Sequence, residues 1–203
     1  MLRIDRERMP TMFHFATLSE AEVEVLRCIR NVVRLGRMTA IDADGMRLER
    51  GRVAVEPGTL FIDCTASAVQ VRESVPVFQS GRIVIQLLRA PLVAFSAALT
   101  AYVEARFDDE SQKNRLCEPV PFPRRTADYP RTMAVTMSNQ VQWGQDTALR
   151  QWIRNCRLDA FGRLTSGADK ADVEKQAILA RLKFQAQAAA ANMPQLLAAA
   201  GGD

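Results

Sequence analysis

The chain has 203 residues, and its 27 Lys and Arg against 23 Asp and Glu give a net charge of +4. This length can bury a sizeable core and fits one domain or somewhat more. The basic residues are scattered through every segment and form no block of like charge, which argues against a nucleic-acid partner.

The same composition excludes several classes of site. No apolar run reaches the roughly 18 residues of a membrane span, and residues 1–15 are too charged for a signal peptide, so we expect a cytoplasmic protein without membrane contact. Four cysteines without a CxxC pair are typical of reduced thiols and argue against zinc. His14 is the only histidine, which excludes a self-contained Ser-His-Asp or Cys-His centre. The ten glycines fit neither GxGxxG nor GxxxxGK[ST], so no self-contained phosphate loop is present.

The first predicted element is a helix. Ser19 followed by Glu22 makes a capping-box pattern, which predicts a helix over residues 19–30. The apolar residues that fall on one face of this helix are Ala21, Val25, Leu26 and Ile29. We expect that face to be the inner one.

From residue 33 the apolar period changes to two, which indicates an antiparallel meander. One strand is predicted around 33–41, one or two more around 46–55, and a last one at 59–65, with turns at "DADG" and "EPG". The last strand, "TLFIDCT", is the more apolar one, so we expect it to be buried on both faces.

A second buried strand is predicted at 82–88, "RIVIQLL", followed by a helix over 91–107 with Pro91 in its first turn. Ser96, Thr100 and Glu104 form a single polar stripe on this helix, and the rest is almost entirely apolar or alanine. The helix therefore needs cover nearly all round. It is either a central core helix of this chain or a helix between this chain and a missing part, in which case the exposed patch predicts self-association.

The remainder is predicted to be a proline-containing connecting loop over 108–130, with room for a short helix at 109–117, and a helical region over 131–203. Asp146 and Gly162 bracket one helix, whose inner face would consist of Leu149, Trp152, Ile153, Cys156 and Ala160. A last helix over 169–192, ended by Pro194, would present Val173, Ala177, Ala180, Phe184 and Ala188. That helix is either loosely docked or an interface element.

Over residues 19–107, the order helix, meander, strand, strand, helix resembles the C-terminal part of the two-dinucleotide-binding flavoproteins, the FAD/NAD(P)-dependent oxidoreductases. In that family a meander leads into a buried strand that ends in an acidic residue and an Ala-Thr-Gly-like tripeptide, and "LFIDCTA" occupies that place here. The implied fold is α/β: an antiparallel meander leading into buried strands of a mixed sheet packed by helices. Residues 1–107 would form the C-terminal part of a Rossmann-like dinucleotide-binding domain.

The resemblance also implies a site. Asp63, Cys64, Thr65 and Ala66 would lie against the bound dinucleotides, and the helix N-terminus at Pro91 and Leu92 would approach the flavin. The implied cofactors are FAD and NAD(P) in the complete protein, and the implied reaction is hydride transfer from nicotinamide to flavin. The N-terminal half with GxGxxG, in the same or a separate chain, would be the missing partner.

The sequence departs from the family pattern at two places. Cys-Thr-Ala stands for Ala-Thr-Gly, and Arg89 and Ala90 stand where the family has Gly-Asp. Asp63 alternatively caps a turn, and Cys64 is alternatively a small core residue. A non-catalytic α/β module that binds a partner protein through the 91–107 and terminal helices is the alternative function, and a basic nucleic-acid accessory protein is a third.

Overall fold

A computed structural model describes residues 3–15, 18–65, 72–160, 162 and 172–200, and in them the protein is mixed α/β with about 49% helix and small antiparallel sheets. The chain divides into two compact units. Unit 1 comprises residues 1–9 and 18–72, and unit 2 comprises residues 10–17 and 73–203.

Unit 1 begins with helix α1, Glu20–Arg27, and its predicted capping box is present. The Ser19 hydroxyl accepts a hydrogen bond from the Glu22 N–H, and the Glu22 carboxylate accepts one from the Ser19 N–H at 2.7 Å. The predicted inner face is wrong: Val23 is the buried residue, while Val25 and Ile29 are exposed. The cause is the guanidinium of Arg27, which donates to carbonyls of the N-terminal arm and so turns this side of the helix inward.

The predicted meander is confirmed as a three-stranded antiparallel sheet in the order β1-β2-β3. Its strands are β1 Met38–Asp42, β2 Gly45–Leu48 and β3 Gly51–Ala54. Met46 lies in the central strand, where it is paired with Ile41 of β1 on one side and with Val53 of β3 on the other. The middle segment therefore contains two short strands joined by a tight turn.

The expectation of a buried strand at 59–65 is wrong within the described residues. This segment belongs to no helix or sheet, and Leu60 and Ile62 are 82% and 76% exposed. The physical reason is that β1, β2 and β3 pair with one another, and no further strand of the described part of unit 1 is paired with this segment.

Unit 2 contains one hairpin and five α-helices among its described residues. The elements are β4 Phe78–Gln79, β5 Arg82–Ile83, α2 Val93–Arg106, α3 Glu110–Leu116, α4 Tyr129–Gln145, α5 Thr147–Asn155 and α6 Val173–Ala200. Only Arg82 and Ile83 of the predicted 82–88 strand are paired. Ile85 is exposed and Leu88 is fully buried, so the expectation that this strand is buried throughout is wrong.

Helix α2 is the centre of the unit 2 core, as one of the two interpretations of the sequence expected. Phe95, Leu99 and Val103 are fully buried on it and belong to a cluster with residues of the hairpin, α3, α4 and α5. Ser96 and Thr100 are also buried, and the Thr100 hydroxyl donates to the Ser96 carbonyl. Two residues of the predicted polar stripe therefore lie on the buried face, while the third, Glu104, is exposed.

The C-terminal helices differ from the prediction in extent. Helix α5 is capped by Asp146 and buries Leu149, both as predicted, but it ends at Asn155 and Ala160 is exposed. Helix α6 runs through Pro194 to Ala200, and none of its residues is buried. The proline ring removes a single backbone donor, and the alanines around it are the strongest helix formers.

We predict that Leu99→Ala lowers the free energy of unfolding of unit 2 by about 2–5 kcal/mol, because it leaves a cavity beside a fully buried position. Val93→Ala is the matched control on the same helix, since Val93 is 71% exposed, and it should change stability by less than about 0.5 kcal/mol. Denaturant unfolding followed by tryptophan fluorescence measures unit 2 alone, because Trp143 and Trp152 both lie in its core cluster. Equal effects of the two variants would contradict this packing.

Candidate functional site

The segment that ends in "DCT" closes with a small hydrogen-bonded turn. The Asp63 carboxylate accepts hydrogen bonds from the Thr65 hydroxyl at 2.6 Å and from the Thr65 N–H at 2.8 Å. These two bonds, the hydroxyl first, lower the pKa of Asp63 below its ordinary value. Asp63 therefore caps a turn at the end of the segment 59–65.

The other predicted residues of this segment are placed differently. Cys64 is an exposed free thiol, so its interpretation as a small core residue is wrong. Ala66 lies outside the described residues. Asp63, Cys64 and Thr65 therefore present a carboxylate, a thiol and a hydroxyl in succession, all at exposed positions after the meander.

Pro91 and Leu92 belong to unit 2, where they form the turn that starts helix α2. Both are half-buried, and the Leu92 N–H donates to the Arg89 carbonyl at 2.7 Å. The first turn of α2 contains no acidic side chain, and no side chain caps its N-terminus. The positive end of the helix dipole is therefore not neutralised by a carboxylate of its own first turn.

Ser96 attaches the extended chain before this turn to the helix itself. Its hydroxyl accepts from the Leu88 N–H at 3.0 Å and the Arg89 N–H at 3.3 Å, and it donates to the Leu92 carbonyl at 2.7 Å. One small side chain thus satisfies three backbone groups of an irregular segment.

Helix α4 supplies the next contacts to this segment. The Asn139 side-chain amide donates to the Leu88 carbonyl at 2.9 Å and to the Glu118 carbonyl at 2.8 Å. The Thr136 hydroxyl accepts from the Ala90 N–H at 3.4 Å. The side-chain oxygen of Asn139 is buried without a hydrogen-bond partner in the described structure, which costs about 1–3 kcal/mol.

Arg89 forms a nearly buried ion pair that sequence reasoning missed. Its guanidinium lies 2.6 Å from the Asp159 carboxylate, with side-chain exposures of 11% and 2%. Asp159 also accepts from the Gly162 N–H, and Gln140, with its amide oxygen turned toward Arg89, accepts from the guanidinium at 3.0 and 3.1 Å. The sequence did contain a signal for this ion pair: Arg89 stands alone between two apolar runs, and a charge that is buried there needs a partner of opposite charge.

Arg89 also contacts an aromatic ring. Its guanidinium carbon lies 5.6 Å from the centre of the Phe95 ring, beside the ion pair with Asp159. Arg89 is thereby part of the packing around the start of α2.

Metal chemistry finds no support in the described residues. No group of three or more His, Cys, Asp or Glu side chains there is arranged to hold a metal ion. His14 is exposed and packs against the Phe122 ring at 5.6 Å. No helix in the described ranges is long and apolar enough to cross a membrane.

Comparison with known proteins gives relatives without an assigned function. No protein-family model and no solved structure matches the chain. The chain is 37% identical over 164 residues to an uncharacterized protein of Mycobacterium bovis and to uncharacterized proteins of two Mycobacterium tuberculosis strains, CDC 1551 and H37Rv. The match covers 81% of this chain and 30% of each relative, so the chain spans less than a third of the length of these curated relatives.

The turn at Asp63 gives a pH prediction. Its pKa is lowered in the folded chain, so the turn is fully formed above the ordinary value of 3.8 and is lost as the pH falls through the lowered value. Thr65→Ala removes the largest cause and should raise the pKa of Asp63 toward its ordinary value, whereas Thr65→Ser keeps the hydroxyl and should preserve the lowering. An NMR titration of the Asp63 carboxyl carbon measures both. The same pKa in the two variants would show that the hydroxyl is not bound there.

Proposed function

We propose that this chain is the C-terminal portion of an FAD/NAD(P)-dependent oxidoreductase and contributes to a cofactor site whose GxGxxG half it does not contain. The observation that carries the proposal is the segment 59–65. It follows the three-stranded meander, is largely apolar, ends in Asp-Cys-Thr, and pairs with no strand of the described structure. This is the position of the buried, cofactor-adjacent strand in the family that the sequence resembles.

The exposure of this segment supports a missing sheet. Strands that present apolar side chains and unpaired backbone groups to water are aggregation sites, which proteins avoid by pairing or covering them. Leu60 and Ile62 on alternate positions of the segment are both largely exposed. Most of the length of each mycobacterial relative lies outside the matched region, which leaves ample chain to supply the neighbouring strands.

The residues of this chain would bind and orient rather than carry out the redox step. FAD and NAD(P) supply hydride transfer when bound. Asp63 and Thr65 would offer short polar groups and close backbone approach at the end of the strand. The start of α2 has no acidic side chain in its first turn, so it would favour a negative charge placed at that helix end.

A second candidate, a non-catalytic interaction module, is favoured by helix α6. This helix has 28 residues and no buried side chain, and Ile178, Leu182 and Phe184 are exposed on it. Such a helix is suited to a partner surface. This candidate does not account for the unpaired segment 59–65, so we place it second.

Cofactor binding separates the two candidates. We predict that this chain alone binds no FAD, and that a longer polypeptide, made by joining this chain to a GxGxxG half found upstream or in a neighbouring frame, binds FAD stoichiometrically. Addition of NADH or NADPH should then bleach the flavin absorbance. The full-length relative of M. tuberculosis H37Rv should purify with flavin as well.

Two variants of the longer polypeptide make this test specific. Thr65→Leu should abolish FAD or nicotinamide binding, because a larger side chain occupies space that the ligand needs. Thr39→Leu, on an exposed position of β1, is the control and should leave binding unchanged. A stoichiometric yellow complex of this chain alone, or a longer polypeptide that binds no flavin after reconstitution, would contradict the proposal.

A further inference from the structure

Helix α6, Val173–Ala200, carries apolar residues at alternating intervals of three and four along its length. We call these residues the α6 seam: Leu179, Leu182, Ala186, Ala189, Met193, Leu196 and Ala200. Their spacing is the heptad period, which places them in one line along a helix that packs lengthwise against another helix. The seam is about 33 Å long, since an α-helix rises about 1.5 Å per residue.

The described structure covers little of the seam. Helix α6 contacts α4 within unit 2, but none of its residues is buried. Leu182 and Leu196 are 49% and 46% exposed, and both central alanines of the seam are exposed. Most of the stability of a helix in a protein comes from packing of its apolar face, so the seam of this long helix is suited to a second surface.

The order of side-chain sizes in the seam is the same from either end. From Leu179 to Leu196 it reads large, large, small, small, large, large. Two copies of α6 laid antiparallel, with a twofold axis between residues 187 and 188, therefore match like sizes and make each contact twice, as a twofold dimer interface requires. The alanines lie at the axis, where small side chains let two helices approach closely. The facing pairs are Leu179 with Leu196, Leu182 with Met193, and Ala186 with Ala189.

The distribution of charge favours the antiparallel arrangement over a parallel one. Residues 184–200 contain no charged side chain. The charged residues of α6 all lie in its first half and have a basic excess: Glu174, Lys175, Arg181 and Lys183. A parallel pair would bring the two basic halves together, whereas an antiparallel pair lays each beside the uncharged half of the other copy. It also brings opposite ends of the two helix dipoles together.

We infer that the α6 seam is an interface between two copies of this chain, which pair through it as an antiparallel two-helix coiled coil. The inference does not rest on the proposed cofactor site, because every residue of the interface belongs to α6. It gives the exposed surface of α6 a definite partner. Phe184 lies on the side of the helix opposite the seam, so it stays exposed in the pair.

Sedimentation equilibrium of the 203-residue chain tests the interface, and the chain should show a reversible monomer–dimer equilibrium. Ala186→Glu places a charge from each copy at the centre of the seam. It should raise the dimer Kd by roughly a hundredfold or more, because a charge buried without a partner loses its hydration. Ala191→Glu is the matched control, since Ala191 is also exposed but lies opposite the seam. It adds the same charge and should change the Kd by no more than about twofold.

Two outcomes of this experiment would overturn the inference: a chain that is monomeric at every concentration, or equal effects of the two glutamate variants. Phe184→Gln distinguishes the seam from non-specific association, because Phe184 is 72% exposed on the opposite side of the helix. The dimer should survive this change. A dimer that Phe184→Gln dissociates as strongly as Ala186→Glu would also contradict the seam.

Disulfide trapping tests the antiparallel register and does not depend on the glutamate variants. It uses a chain in which the exposed Cys28 and Cys64 are replaced by serine. Leu182→Cys and Met193→Cys should each cross-link poorly alone, because identical positions would lie about 16 Å apart along the pair. An equimolar mixture of the two variants should cross-link readily. Cross-linking of each variant alone, or none in the mixture, would overturn the antiparallel seam.

Discussion

Buried backbone polar groups must find partners, and the irregular segment before α2 shows how unit 2 meets that constraint. The segment before α2 is satisfied without a sheet: the Val84 N–H donates to the Val77 carbonyl, the Leu87 carbonyl accepts from the Val120 N–H, and side chains bind Leu88. In the segment 59–65, the described hydrogen bonds join Thr59 to Glu56 and Thr65 to Asp63. Leu60 and Ile62 of this segment are exposed, and Phe61 is half-buried.

The same constraint accounts for the polar side chains that helix α4 buries. Helix α4 turns a polar face to the core, with Thr132, Thr136 and Asn139 buried beside Trp143. The Thr132 hydroxyl donates to the Pro121 carbonyl, and the Trp143 ring N–H donates to the Leu116 carbonyl. Helix α4 therefore supplies side chains that form hydrogen bonds with irregular backbone, while α2 supplies the apolar centre of the unit 2 core.

The parts of the fold that could be predicted were those with local causes. The capping box at Ser19 and the N-cap at Asp146 are formed within a single turn, and the meander follows from alternation and turn residues. Helix α4 lies mostly in the region predicted to be helical, but its bounds were not predicted, because its buried positions are polar and apolar periodicity does not mark them. The contact of Arg89 with Asp159 depends on tertiary packing, and no local pattern gives the partner of a buried charge.

The candidate site was predictable to a smaller degree. The sequence pointed to Asp63 and Thr65 through their position after an apolar run, and the turn that they form is a local consequence of their side chains. Leu60 and Ile62 of that run are exposed in the described structure, because burial requires a neighbouring strand and no local pattern shows whether one is present. The resemblance to the flavoproteins is what connects these residues to dinucleotides, and it remains a proposal.

The central claim is that residues 59–65 are a sheet strand whose neighbours lie in another part of the complete protein. Amide hydrogen exchange at Leu60, Phe61 and Ile62 tests it most directly, measured in this chain alone and in the longer polypeptide with FAD bound. The account predicts little protection in the chain alone and a slowing by roughly a hundredfold or more in the longer polypeptide, as for an internal strand. Equal and fast exchange in both would contradict it, because the segment would then be an exposed extension and not an unpaired strand.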